Sequence, residues 1–203
     1  MRRFRTILPT LLLAAATAII AVPAASAADA APSASLSVDQ LMAALAQRKS
    51  GRVLFTEKKY LAMLERPVES SGELVFVAPD RLEKRTVTPK PENLVIEGDM
   101  MTVQRGGKTF TMPLQNYPEI AAFIESIRGT LAGNRTALER YYRLGVEGRA
   151  GRWTLTLTPA NSRMAAIVSQ VRIDGANDAL DSVEIRQADG DRSVMKIRPA
   201  GKP

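Results

Sequence analysis

Residues 153–158 read Trp-Thr-Leu-Thr-Leu-Thr. Apolar and polar residues alternate there without a break, so Trp153, Leu155 and Leu157 share one face of an extended strand and the threonines the other. Segments of the same kind flank it. Downstream, Ile167–Ile173, Leu180–Gln187 and Ser193–Arg198 read as successive strands, with Asp174-Gly175 and Asp189-Gly190 as their turns. Upstream, Arg52–Tyr60, Val68–Val77, Arg81–Val87, Leu94–Glu97, Met100–Gln104 and Thr109–Leu114 follow one another. Pro79-Asp80, Pro89 and Pro91, Gly98-Asp99 and Arg105-Gly106-Gly107-Lys108 punctuate them. Sequential strands joined by short turns favour an antiparallel meander over alternating parallel units. The fold class expected is mainly β with helices (α+β), with about ten strands and two or three helices.

The helices announce themselves by a change of period. Ser37-Val38-Asp39-Gln40 matches a capping box, and Val38, Leu41, Met42 and Leu45 then recur at helical spacing to about Lys49, where Ser50-Gly51 ends the segment. Pro118–Arg128 is a second helix, with Ile120, Phe123, Ile124 and Ile127 on one face and Gly129 at its C-terminal stop. Asn134 caps a short third one containing Leu138, Tyr141 and Tyr142.

The N-terminus has the order of an export signal. Arg2, Arg3 and Arg5 precede an apolar run from Ile7 to Val22, Pro23 breaks it, and Ala25-Ser26-Ala27 offers small residues for cleavage. Residues 1–27 are therefore expected to be a signal peptide, the Ala/Ser/Pro-rich 28–35 a flexible leader, and 36–203 a single domain. Removing three of the 28 basic residues leaves 25 against 21 acidic ones, a net charge of +4. That mild excess suits anionic membranes or acidic partners and lacks the basic stripe of a nucleic-acid binder.

Composition excludes most catalytic machinery. The chain has no His and no Cys, so it offers no imidazole base, no thiolate, no disulfide, and no His- or Cys-ligated metal. Asp174 and Asp189 precede Gly and read as turn formers. Glu83, Glu97 and Asp99 have no spacing that brings them together, and Arg105-Gly106-Gly107-Lys108 lacks the frame of a phosphate loop. No catalytic residue, metal site or cofactor is expected.

An antiparallel sheet of this size must cover its apolar face, by closing on its own side chains or by leaving a ligand cavity. Met100, Met101 and Met112 sit on consecutive strands, and unbranched thioethers suit a surface that adapts to flexible apolar ligands. Phe55, Phe76, Phe123 and Trp153 read equally as core or as cavity wall. The helices Ser37–Lys49 and Pro118–Arg128 are the candidate lids.

The ordered motifs Phe55-Thr56-Glu57-Lys58, Gly72-Glu73-Leu74-Val75-Phe76-Val77-Ala78-Pro79-Asp80-Arg81-Leu82, Leu94-Val95-Ile96-Glu97-Gly98-Asp99-Met100-Met101 and Trp153–Pro159 resemble those of the LolA-like periplasmic lipoprotein carriers, over residues 36–198. The resemblance implies a half-open antiparallel β-barrel lidded by helices, whose apolar cavity shields acyl chains. It implies a periplasmic monomer that ferries acylated lipoproteins or other lipids from an inner-membrane donor complex to an outer-membrane acceptor. The lipid-contacting residues would be Phe55, Leu74, Phe76, Met100, Met101, Met112, Ile120, Phe123, Ile124, Ile127, Trp153 and Leu155. Two departures stand out: Ala78 replaces the Arg that the best-known carriers have before the strand-end Pro, and the chain stops at Pro203 without their C-terminal extension. The alternatives are a lipid-sensing regulatory protein and, from the residues alone, an exported hydrolase that uses carboxylates.

Overall fold

The computed structural model describes residues 35–200, apart from the side chains of Pro118, Glu119, Ala122 and Phe123. The expected signal peptide and almost all of the leader lie outside the described residues. Helix α1 (Val38–Leu45) opens the described chain, and its capping box is complete: Ser37 Oγ accepts from the Gln40 amide, and the Gln40 side chain accepts from the Ser37 amide at 2.9 Å. It ends at Leu45, short of Lys49, because the chain must turn before Ser50 pairs with Val77.

Eleven strands follow: β1 (Ser50–Tyr60), β2 (Val68–Val77), β3 (Arg81–Thr88), β4 (Glu92–Glu97), β5 (Met100–Arg105), β6 (Lys108–Pro113), β7 (Tyr142–Arg149), β8 (Arg152–Pro159), β9 (Val168–Ala176), β10 (Ala179–Gln187) and β11 (Arg192–Pro199). Between β6 and β7 lie a 3-10 turn at Leu114–Asn116, α2 (Pro118–Leu131) and α3 (Arg135–Glu139); α4 (Ser162–Ala165) joins β8 to β9. All strands form one antiparallel sheet in the order β6-β5-β4-β3-β2-β1-β11-β10-β9-β8-β7. It is two sequential meanders, β1–β6 and β7–β11, joined where β1 pairs with β11. The sheet does not close, since its edges are β6 and β7. The fold class is the expected one: mostly β with few helices, in an open antiparallel barrel lidded by helices.

That order fixes the helices. The chain leaves one edge of the sheet at β6 and must re-enter at the opposite edge, β7, so residues 114–141 cross from edge to edge. As they cross, Leu114, Ile124 and Leu138 are buried.

The core has two parts. One gathers Leu41, Met42 and Leu45 of α1, Leu138 of α3, Met164 of α4, and inward residues of β7–β11, among them Trp153, Leu155, Leu157, Val171 and Ile173. The other joins Phe76, Leu82, Ile96 and Met101 of the first meander to Leu114 and to Ile124 of α2. Ile127 and Leu131 of α2 pack against both.

Three local expectations are corrected. Gly129 does not stop α2 but lies inside it; a Cβ there would come within 3.0 Å of Leu138, so the glycine lets α3 approach, and the helix ends before Gly133 at φ +61°. Asp174-Gly175 is not a turn but part of β9, where Gly175 makes room for the Trp153 ring, and Asn177 makes the turn at φ +54°. Tyr142 is not helical but starts β7, whose alternation is masked in the sequence by Gly145, Gly148 and charged neighbours. Helix α4 is held by an Asn161 cap on the Met164 amide at 2.9 Å.

Candidate functional site

Residues directly opposite each other in an antiparallel ladder share a face, so the strand register reads out the inner face row by row. The row nearest α2 is Met112, Met101, Ile96, Leu82 and Phe76. All but Met112 are buried, and α2 lies on this row through Ile124, Ala121 and Ile127. The next row is Phe110, Val103, Leu94, Lys84, Leu74 and Val53. It is different: every member keeps some exposure, and Phe110 is 53% exposed. Leu94 and Val103 rest against the core cluster from its open side. Beyond them stands a polar row, Lys108, Arg105, Glu92 and Thr86.

The middle row therefore forms a half-open apolar track between a helix and a polar rim. It crosses six strands, about 24 Å at the usual strand spacing. One acyl chain reaches about half the ~30 Å hydrocarbon thickness of a bilayer. The track is long enough for it.

One charged group interrupts the track. Lys84 Nζ is 25% exposed by side chain, donates to Glu57 Oε2 at 2.6 Å and stands 4.9 Å over the Phe55 ring. Glu57 is only 5% exposed and also accepts from Ser193 Oγ at 2.7 Å and Ser70 Oγ at 3.3 Å, with Lys59 Nζ at 3.9 Å. Burial pushes the Glu57 carboxyl up, but Lys84, Ser193 and Lys59 together outweigh it and hold the group below its ordinary value. It is an anion at neutral pH.

A second polar arrangement fastens α2. Arg128 Nη1 donates to the Gly98 carbonyl at 2.5 Å and to the Asp80 carbonyl at 3.3 Å, and Arg128 Nη2 pairs with Glu125. These carbonyls belong to the β4–β5 and β2–β3 turns, so a single guanidinium ties the helix to the first meander. On its other side α2 is tied to the second meander: burial pushes the Tyr142 phenol up to about 12, and its hydroxyl hydrogen-bonds Ser126. Arg128 and Glu125 also line a cavity of about 410 Å³ with Pro79, Asp80, Gln115 and Tyr141.

A family model, outer membrane lipoprotein carrier protein LolA-like, matches residues 30–201. The chain belongs to this family. Among curated proteins, none matches the sequence. Several solved structures are similar. A LolA superfamily protein from Nitrosomonas europaea is 10% identical, covering 83% of this chain and 96% of its own, with a TM-score of 0.45. A putative outer membrane lipoprotein-sorting protein domain from Vibrio parahaemolyticus is 11% identical, covering 82% and 92%, with a TM-score of 0.41. The MucA/MucB complex of Pseudomonas aeruginosa is 12% identical, covering 81% of this chain and 58% of that one, with a TM-score of 0.43.

In this LolA-like chain the sequence-predicted site residues divide among several places. Phe76, Met101, Met112, Ile124 and Ile127 meet beneath or along α2. Trp153 and Leu155 instead belong to the second-meander core, fully enclosed and apart from that group. Leu74 is on the half-open track, and Phe55 is buried on the central strand under the Lys84 ammonium. Ile120 is half exposed on α2, while the Phe123 side chain lies outside the described residues. Met100 is a correction: it alternates with Met101, so it points to the outer face and is 41% exposed. Helix α1, the other candidate lid, buries Leu41, Met42 and Leu45 in the second-meander core.

The carboxylates weighed for catalysis serve structure. Asp174 accepts from Thr154 Oγ1 at 2.7 Å and Ser182 Oγ at 3.1 Å; burial pushes its carboxyl up, but these bonds and Arg172 hold it below its usual range. Glu83 is held low chiefly by its hydrogen bond from Arg85, with Arg81 bridging it to Glu97. Among the described residues no group of three acidic side chains is placed to hold a metal ion.

Lys84, Glu57 and Arg128 carry no weight in the sequence reading. Period two was the available signal for the first two, since it places Glu57 on the Val53 and Phe55 face and Lys84 on the Leu82 face. Arg128 had none, because its partners are backbone carbonyls of distant turns.

Proposed function

We propose that this LolA-like protein is a periplasmic carrier that shields the acyl chains of lipoproteins or related lipids on the inner face of its first meander, under α2, and ferries them between the inner and outer membranes. The half-open row from Phe110 to Val53 carries this reading. A folded domain gains about 25 cal/mol for each Å² of apolar surface it buries, so apolar side chains left half open on five of the six strands support a surface kept for an apolar ligand.

In the described state α2 occupies the neighbouring row, and the carrier works by exchange. Each buried acyl methylene contributes about 0.8 kcal/mol, so a long chain offers on the order of 10 kcal/mol before ordering costs. That is enough to compete with the contacts of Ala121, Ile124 and Ile127 and with the bonds of Arg128. Release then needs only an acceptor with a better site. No catalytic group takes part.

The export-signal pattern of residues 1–27 supports a periplasmic site of action, with an inner-membrane donor and an outer-membrane acceptor as the partners we propose. The test is native purification from the periplasm, followed by mass spectrometry of what is bound. An acylated molecule at near one per protein, also taken up from labelled donor vesicles, supports the carrier. Protein that carries no acylated species and extracts none from vesicles contradicts it.

A further inference from the structure

We propose that Lys84 is a head-group site: the track takes a single-chain amphiphile whose carboxylate rests on the Lys84 ammonium, with its tail lying along Leu94, Val103 and Phe110. This rests on the carrier reading and names the class of ligand.

The placement of a largely buried cation, paired with the buried Glu57, inside an apolar row is the first reason. Replacing such a pair by apolar residues of similar volume is commonly neutral or stabilising, so the fold itself does not need a cation between Leu94 and Leu74. Donor capacity is the second. An ammonium has three N–H donors, and Lys84 uses one on Glu57 and turns its charge over the Phe55 ring. Its side chain keeps one quarter of its surface exposed, so an incoming carboxylate can reach the remaining donors.

Charge is the third. Lys84 and Lys59 against Glu57 leave one net positive charge on this part of the inner face, matching a monoanion. Glu57 is held by Ser193 and Ser70 as well as by Lys84, so it stays in place when Lys84 takes a second acceptor. It acts as a positioning residue that keeps the ammonium at this point of the row. From Lys84 the row continues over β4, β5 and β6 in apolar side chains alone, so head and tail have distinct places.

The experiment compares delipidated wild-type protein with a fluorescent long-chain fatty acid and with the primary alcohol of the same chain. The acid is expected to bind about tenfold or more tightly than the alcohol, the scale of one hydrogen bond to a charged group. In the double variant Glu57→Gln with Lys84→Met, which leaves no buried charge unpaired, that preference disappears and the affinity for the alcohol is kept. Glu57→Gln alone frees Lys84, so the preference for the acid holds or grows. Equal binding of acid and alcohol by the wild type overturns the head-group site while leaving the carrier reading standing. A folded double variant that still prefers the acid overturns it too, and so does loss of the preference in Glu57→Gln. Binding of neither probe overturns both this site and the carrier.

Discussion

The two meanders are built from the same alternating strands and covered by helices, yet one is sealed and the other is not. Over β7–β11, helix α1 contributes three buried side chains, α3 one and α4 one, and Trp153, Leu155 and Leu157 are shut in beneath them. Over β1–β6 there is α2 with the turn before it, and a whole apolar row beside it stays partly open. The strands one in from each edge show the contrast best: β5 buries only Met101, whereas β8 buries every second residue. On the carrier reading proposed above, the difference assigns stability to the sealed half and ligand binding to the open one. A sheet needs one well-packed half to fold, and it can then present the other to a ligand.

If that division is right, the largest effect belongs to the sealed half. Leu155→Ala, at a fully buried position, is expected to lower stability by about 2–5 kcal/mol in denaturant unfolding. Phe110→Ala on the open row should change it by no more than about 0.5 kcal/mol. Equal costs at the two sites would erase the comparison.

Arg128→Ala probes the boundary between them. It removes charged hydrogen bonds to the Gly98 and Asp80 carbonyls, each worth about 1.5–3 kcal/mol. Amide exchange in α2 is then expected to quicken roughly ten- to a hundredfold, with α1 unchanged. Quickening of both helices together would show that α2 is as integral as α1.

The smallest effect is that of acid. Glu57 and Glu83 in the first meander and Asp174 in the second all have lowered carboxyl values in the fold. Groups lowered by folding stabilise it while ionised, so their contribution is present above the ordinary values of 4.5 and 3.8 and is lost as pH falls through the folded ones. With no His in the chain, stability should be nearly flat from about pH 6 to 9. The stability gap between wild type and Glu57→Gln should be wider at neutral pH than in acid. A gap that widens in acid reverses the sign of the argument.

Much of this division was legible in the sequence, for physical reasons. Alternation in 153–158 gave a sealed strand because apolar residues alone face inward there, and Ser37 with Gln40 fixed the start of α1 through its cap. Strand β2 was read to the residue. The site was less legible. Period two could tell Met101 from Met100 only once a register was known, and nothing local distinguishes Trp153 in a sealed core from Phe76 under a helix. That distinction arises from strand order: β1 pairs with β11, which divides the meanders, and residues 114–141 are forced across the face. Pairing between residues over a hundred positions apart leaves no trace in a local pattern.

The central claim is that an acyl chain lies on the open row of the first meander and not in the sealed half, and tryptophan quenching by a brominated fatty acid tests it most directly. The native chain has one tryptophan, Trp153, in the sealed core, and Phe110→Trp adds a second on the open row. We expect saturating brominated ligand to leave the wild-type emission nearly unchanged and to quench strongly the emission that Phe110→Trp adds. Strong quenching of Trp153 in the wild type, with none of the added tryptophan, would place the ligand in the other half and contradict the account.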